Sequence, residues 1–191
     1  MIKLDMHRCL RSISPSVALL LSLTASGRAS PIASQANGHE IQVVIAQTRS
    51  PIRLVGNGVW VGFTEAEVST QLTSGVLRRW VAKRRLILIL KDISADAQPE
   101  SSFAVYLGLA SSESPAKDDP HYVGQFSFYN EINAGELKAT PSVRTFDITR
   151  LVQRLLASHA IADPIGVRIL PERRPMDNAN ATIGSITIVA R

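Results

Sequence analysis

The side chains able to do acid–base or metal chemistry are few and scattered. Four histidines, His7, His39, His121 and His159, stand among 191 residues. None has a second histidine three or four positions away, the spacing that sets two imidazoles on one helix face around a shared ion. His121 follows Asp118, Asp119 and Pro120. One imidazole and two carboxylates in a turn-rich segment make a weak cation site, so a solvated loop is expected there. His159 falls at the end of a predicted helix, where an imidazole interacts favourably with the C-terminal dipole, and His39 sits at a linker with no evident partner. Serines are plentiful, yet no Gly-x-Ser-x-Gly elbow occurs, and Gly184-Ser185 has a strand-like setting. Phosphate loops, dinucleotide fingerprints and calcium loops are also missing from the sequence. Asn180-Ala181-Thr182 matches a glycosylation sequon, a pattern short enough to recur by chance. The sequence therefore assigns no catalytic residue, no cofactor-binding residue and no metal ligand. Trp60, Trp80 and Tyr129 are the side chains best suited to stack on a ligand, although Trp60, between Val59 and Val61, equally suits a core.

The N-terminus bears on where such chemistry would operate. Lys3, Arg8 and Arg11 precede the apolar segment Val17-Ala18-Leu19-Leu20-Leu21-Ser22-Leu23, and Gly27-Arg28-Ala29 follows it. An apolar stretch this short falls well below the roughly 20 residues that span a bilayer, so residues 1–29 read as a cleavable export signal. Cleavage is expected near Ala29, Met6 is an alternative start, and the location is secreted or periplasmic with no membrane span. Cys9, the single cysteine, lies inside that segment; the processed chain would have no disulfide, thiol nucleophile or Cys-based metal site. The formal charge of +5 would fall to +2, because residues 1–29 hold Lys3, Arg8, Arg11 and Arg28 against Asp5. What remains basic is the run Arg78, Arg79, Lys83, Arg84 and Arg85, with Trp80 as its only interleaved aromatic; it reads as a solvated strand entrance, so no nucleic-acid partner is expected.

Residues 30–38 are small and polar, as in a linker, and 39–191 are expected to form one domain. Glu40–Ala46 is strand-like. The Asn57-Gly58 pair predicts a hairpin between Ile52–Gly56 and Val59–Phe63. Thr64 and Glu67 match a capping box, with Val68 and Leu72 on one face, so a short helix is expected in the long connection from Thr64 to Trp80. The unbroken apolar run Leu86–Leu90 predicts a strand buried on both faces. Phe103–Leu107 and Tyr122–Phe128 alternate as strands do, and Ala110–Pro120, Asn130–Pro141 and Pro171–Asn180 read as loops. Asp147 is placed to cap a helix whose stripe is Ile148, Leu151, Val152, Leu155 and Leu156. Val143–Phe146, Val167–Leu170 and the Ile183–Val189 run supply further strands. Many short strands with one amphipathic covering helix predict a mainly β fold, an antiparallel, jelly-roll-like β-sandwich.

Three blocks within Ile52–Arg191 carry a resemblance. Ser102-Phe103-Ala104-Val105-Tyr106-Leu107 is similar to the Lys-Phe-Asp-Val-Tyr-Val pattern of the C-terminal domain of polyphenol oxidases and tyrosinases. Ser102 stands for Lys and Ala104 for Asp, so any interaction built on those two side chains is not carried over. Tyr122-Val123-Gly124-Gln125-Phe126 resembles that domain's strand in which a glycine precedes a buried aromatic, and Ala181-Thr182-Ile183-Gly184-Ser185-Ile186 resembles its ending. Bacterial tyrosinases with an appended domain have a stretch like Asp118-Asp119-Pro120-His121-Tyr122-Val123-Gly124.

The resemblance implies fold and ancestry. Oxidation of phenols in that family uses two coppers held by six histidines, and four histidines cannot build such a site, so no cofactor is expected. What it implies instead is an exported, non-catalytic accessory module. That module would act on a separate type-3 copper oxidase chain, shielding its entrance from Ala110–Pro120 or Pro171–Asn180 or assisting its maturation, with His121 as a weak candidate for copper delivery. A remnant of a split oxidase, or a general extracellular binding sandwich for carbohydrate or protein, are the other readings.

Overall fold

The run Leu86-Ile87-Leu88-Ile89-Leu90 alternates its side chains across a strand, so an apolar residue at every position needs cover on both faces. In the computed structural model, which describes residues 41–116, 118–128, 142–175 and 177–191, all five are buried. Leu86, Leu88 and Leu90 enter the main core, while Ile87 and Ile89 form a second cluster with Val189 on the opposite face. Burying each such side chain contributes roughly 1.5–3 kcal/mol. The expected signal peptide at 1–29, the linker at 30–38, His39, Tyr129 and the whole Asn130–Pro141 loop lie outside the described residues.

The elements in chain order are β1 (Val43–Gln47), β2 (Ile52–Arg53), β3 (Val59–Gly62), β4 (Thr64–Glu65), α1 (Ser74–Val81), β5 (Leu86–Ser94), β6 (Phe103–Leu107), β7 (Tyr122–Phe126), β8 (Ser142–Asp147), α2 (Thr149–Ala157), β9 (Gly166–Pro171) and β10 (Thr182–Ala190). One antiparallel sheet runs β4-β1-β10-β5-β8, with β2 also pairing β10, and the other runs β3-β9-β6-β7. Inner side chains of both sheets meet in one core, which contains Leu88 and Ile188 from the first sheet and Val105 and Ile169 from the second. The fold is thus mainly β, the sandwich expected.

The blocks that carry the resemblance fall in β6, β7 and β10, each with close packing contacts. Phe103 of β6 stacks on Phe126 at 5.6 Å and meets Phe128 edge-on at 5.5 Å. A Cβ on Gly124 would lie 2.7 Å from the ring of Phe146, which belongs to the other sheet. A Cβ on Gly184 would meet Asp92, whose φ of 54° marks an irregularity in β5, at 2.7 Å. Ser102 donates to the Glu172 carboxylate, whereas Ala104 offers nothing polar.

Two local expectations are corrected. Asn57-Gly58 does not join a hairpin: β2 pairs with β10 in one sheet and β3 with β9 in the other. The turn itself exists, with Gly58 N–H donating to the Val55 carbonyl at 2.9 Å and Gly58 at a φ of 76°. Leu54, however, continues along β10 through its bond to the Ala181 carbonyl, so the turn carries the chain from sheet to sheet. The helix expected at the Thr64–Glu67 capping box is also displaced. Thr64–Glu65 is β4, paired with β1, and α1 begins at Ser74. Its first turn is capped by Asp163, whose carboxylate accepts the Ser74 N–H and hydroxyl, both at 2.7 Å, from 89 residues away. The helix predicted after Asp147 forms, and its five stripe residues are buried.

Candidate functional site

His121 is the residue to which the sequence gives the most chemistry, and the structure places it inside the protein. β6 and β7 are antiparallel neighbours, and Leu107 N–H donates to the His121 carbonyl at 3.0 Å, which draws the end of the Ala110–Pro120 loop back onto the sheet. The residue is 8% exposed, so the expectation of a solvated loop is corrected at this position, although Asp118 remains exposed. Its Nδ1 lies 2.7 Å from Asp119 Oδ1 and its Nε2 2.8 Å from the Ala160 carbonyl beyond α2. In its protonated form the ring donates to both. Burial opposes ionisation of Asp119, but hydrogen bonds from the His121 backbone and ring, with the imidazolium charge, hold its carboxyl below the usual range. Arg154 adds a bond to the Pro120 carbonyl at 2.9 Å. Ring, carboxylate and guanidinium together staple this loop to the C-terminal end of α2. Both ring nitrogens face acceptors at bonding distance, and no group of three or more metal-ligating side chains gathers among the described residues.

The other sequence candidates are dispersed. His159 takes a φ of 54° just past the end of α2 and is exposed. Trp60 lies against Gly62 and Gly166, with a Cβ on Gly166 falling 2.4 Å from its ring, and its Nε1 donates to the Leu109 carbonyl at 3.1 Å. Trp80 packs half-buried against the core. Arg78, Arg79, Lys83, Arg84 and Arg85 are all exposed, the first two in the last turn of α1. Ser185 is a β10 residue. The Asn180 amide is held on both sides, accepting from Arg53 at 2.8 Å and donating to Asp96 at 2.7 Å.

The two loops proposed to shield a partner lie at opposite ends of the four-stranded sheet. Leu107, beside Val167, leads into Ala110–Pro120, whereas Phe103 lies beside Pro171, where Pro171–Asn180 begins. The first is fixed by the staple at His121. The second is tied through Ser101, whose hydroxyl donates to the Arg173 carbonyl at 2.9 Å.

The flank formed by β2, β3 and β4 encloses a cleft of about 510 Å³. Its lining includes Arg49, Arg53, Val59, Val61, Phe63 and Gln71 and contains no Asp or Glu. It lies between strands of different sheets, which the expected β2/β3 hairpin would have placed side by side.

Fold and site together define a two-sheet β-sandwich module organised around packing and hydrogen-bonded staples. The chain belongs to the family described as domain of unknown function DUF7868, which matches residues 36–191. It is also similar to solved structures of recombinantly expressed latent aurone synthase, a polyphenol oxidase. There the identity is 20%, over 75% of this chain and 25% of that one, with a TM-score of 0.45. The same enzyme co-crystallised with hexatungstotellurate gives 20%, 75%, 26% and 0.47. Latent apple tyrosinase gives 17% identity over 74% of this chain and 27% of that one, with a TM-score of 0.43. The chain thus spans about a quarter of the length of these structures. No curated protein matches it.

Proposed function

We propose that this chain is an exported accessory domain, without catalysis of its own, that acts on a separate type-3 copper oxidase by shielding its entrance or assisting its maturation. The observation carrying this reading is that the three blocks resembling the polyphenol oxidase C-terminal domain fall in β6, β7 and β10, two strands of one sheet and the central strand of the other. Phe103, Phe126, Gly124 and Gly184 pack closely there. Redox chemistry on this chain alone is disfavoured by the count of four histidines against the six that a dicopper site needs. Of the two candidate shielding segments, Ala110–Pro120 is favoured, because its end is held to α2 by both His121 and Arg154, which lowers the ordering cost there on binding.

Co-expression with a tyrosinase tests the reading, with phenol oxidation and copper content measured before and after mild proteolysis. The expected result is oxidation suppressed until cleavage, or copper loading raised by the chain. Equal activity and equal loading with and without it defeat the proposal.

A further inference from the structure

The flank occupied by β3 has the form of an unfilled strand position. β3 pairs with β9 on one side only. Phe63 N–H donates to the Ile165 carbonyl at 3.1 Å, and the alternation of an antiparallel ladder then turns Val59 and Val61 main-chain groups towards β9 and those of Trp60 and Gly62 away from it. Free edges are usually blunted by charges, proline or a bulge; the residues of β3, Val59-Trp60-Val61-Gly62, include neither charge nor proline.

Charge comes instead from the segment opposite. Arg49 donates to Thr64 Oγ1 at 3.0 Å and to the Ser69 carbonyl at 2.9 Å, and Arg53 to Asn180 Oδ1 at 2.8 Å. All three acceptors are neutral, and no carboxylate lines the cleft. Two arginines therefore border a cleft of mixed polarity whose apolar wall is Val59, Val61 and Phe63, beside the outward main-chain groups of Trp60 and Gly62.

We propose that this flank binds an extended, acidic peptide segment of a partner protein as an added strand on β3. The main-chain groups of Trp60 and Gly62 give it register, an apolar side chain enters beside Val59, Val61 and Phe63, and flanking carboxylates meet Arg49 and Arg53. Main-chain groups repeating every second residue suit a strand better than a small molecule, which cannot follow that repeat. A second copy of this chain would bring another pair of arginines to the same flank, so like charge opposes self-pairing. The inference goes beyond the copper-oxidase reading and does not depend on it; either test can fail while the other succeeds.

The probe is a terminally blocked synthetic peptide, Asp-Thr-Val-Thr-Val-Thr-Asp, titrated into the full chain and followed by amide NMR shifts, with a version carrying Lys for Asp alongside. The expected result is binding that shifts the Trp60 and Gly62 amides, weakened about tenfold or more in the lysine peptide and in R49E/R53E. N-methylation along one edge of the peptide should abolish binding and along the other leave it intact, an arm that needs no protein variant. Equal affinity for the lysine peptide, indifference to N-methylation on both edges, or no binding at millimolar peptide overturns the proposal. Dimerisation of the chain through the same amides without peptide also overturns it, making a second copy the occupant.

Discussion

The two flanks of the sandwich are closed in different ways. On the β7/β8 flank a side chain occupies the space between the sheets: the Phe146 ring fills the room that Gly124 leaves by having no Cβ. On the β2/β3 flank, where the chain crosses at Val55–Gly58 and again between β3 and β4, the gap between the sheets is left open as a cleft. The two flanks thus differ in how the space between the sheets is filled.

The sharpest way to break this contrast is to add one methyl group to each flank. Gly124→Ala forces the Phe146 ring from a 2.7 Å approach, and overpacking of that kind is expected to cost about 3 kcal/mol, lowering the melting temperature by about 10 °C in calorimetry. Phe146→Leu should recover part of the loss, since the two positions share one contact. Gly62→Ala on the open flank meets only the far edge of the Trp60 ring, at 3.2 Å, and should cost less than about 1 kcal/mol. Equal losses at the two positions would mean that the flanks do not differ in packing.

The His121 staple gives the next largest effect. His121→Ala leaves the Asp119 carboxylate and the Ala160 carbonyl without their ring partner in a setting where His121 is 8% exposed. An expected cost of about 2 kcal/mol by urea denaturation follows. Limited proteolysis should then cut within Ala110–Pro120 faster than within Pro171–Asn180, which does not depend on the staple.

The two helices show why part of the fold was legible in the sequence and part was not. α2 is announced locally: Asp147 precedes it, and its carboxylate accepts the Thr149 N–H at 3.0 Å and hydroxyl at 2.6 Å, while five periodic apolar residues face the core. α1 is capped by Asp163, and nothing near Ser74 records that partner. The same division applies to the strands. β5, β6, β7 and β10 declare themselves through runs or alternation of apolar residues. The fate of Asn57-Gly58 depends on which sheet each flanking strand joins, and a turn motif does not encode that. The candidate sites divide likewise. His121 was visible as a residue, but its staple needs Ala160, 39 positions away, and the cleft needs two strands wrongly expected to pair. Asp163→Ala should remove both bonds to Ser74 and cost about 1 kcal/mol, with loss of protection in hydrogen exchange confined to α1. Loss spread evenly over α2 would show that the cap supports the two helices together.

The smallest expected effect concerns acid. Hydrogen bonds from Thr149 and Arg85, with the Arg85 charge, lower the Asp147 carboxyl from 3.8 to about 2. A group depressed on folding stabilises the native state above its unfolded value, and that contribution disappears as pH falls through the folded value. The Asp147 contribution is therefore complete above about pH 4 and lost near pH 2. Its side chain is 44% exposed, so solvent screening leaves about 1 kcal/mol or less of the shift as stability. D147N and the unsubstituted chain should differ by that amount in urea at pH 7 and converge as pH approaches 2. Asp119 is depressed in the same direction at the other end of α2, but its stabilisation rests on a buried imidazole. An acid limb that survives D147N and vanishes with His121→Ala would locate the acid sensitivity of the molecule in the staple, and a limb abolished by D147N alone would locate it at the start of the helix.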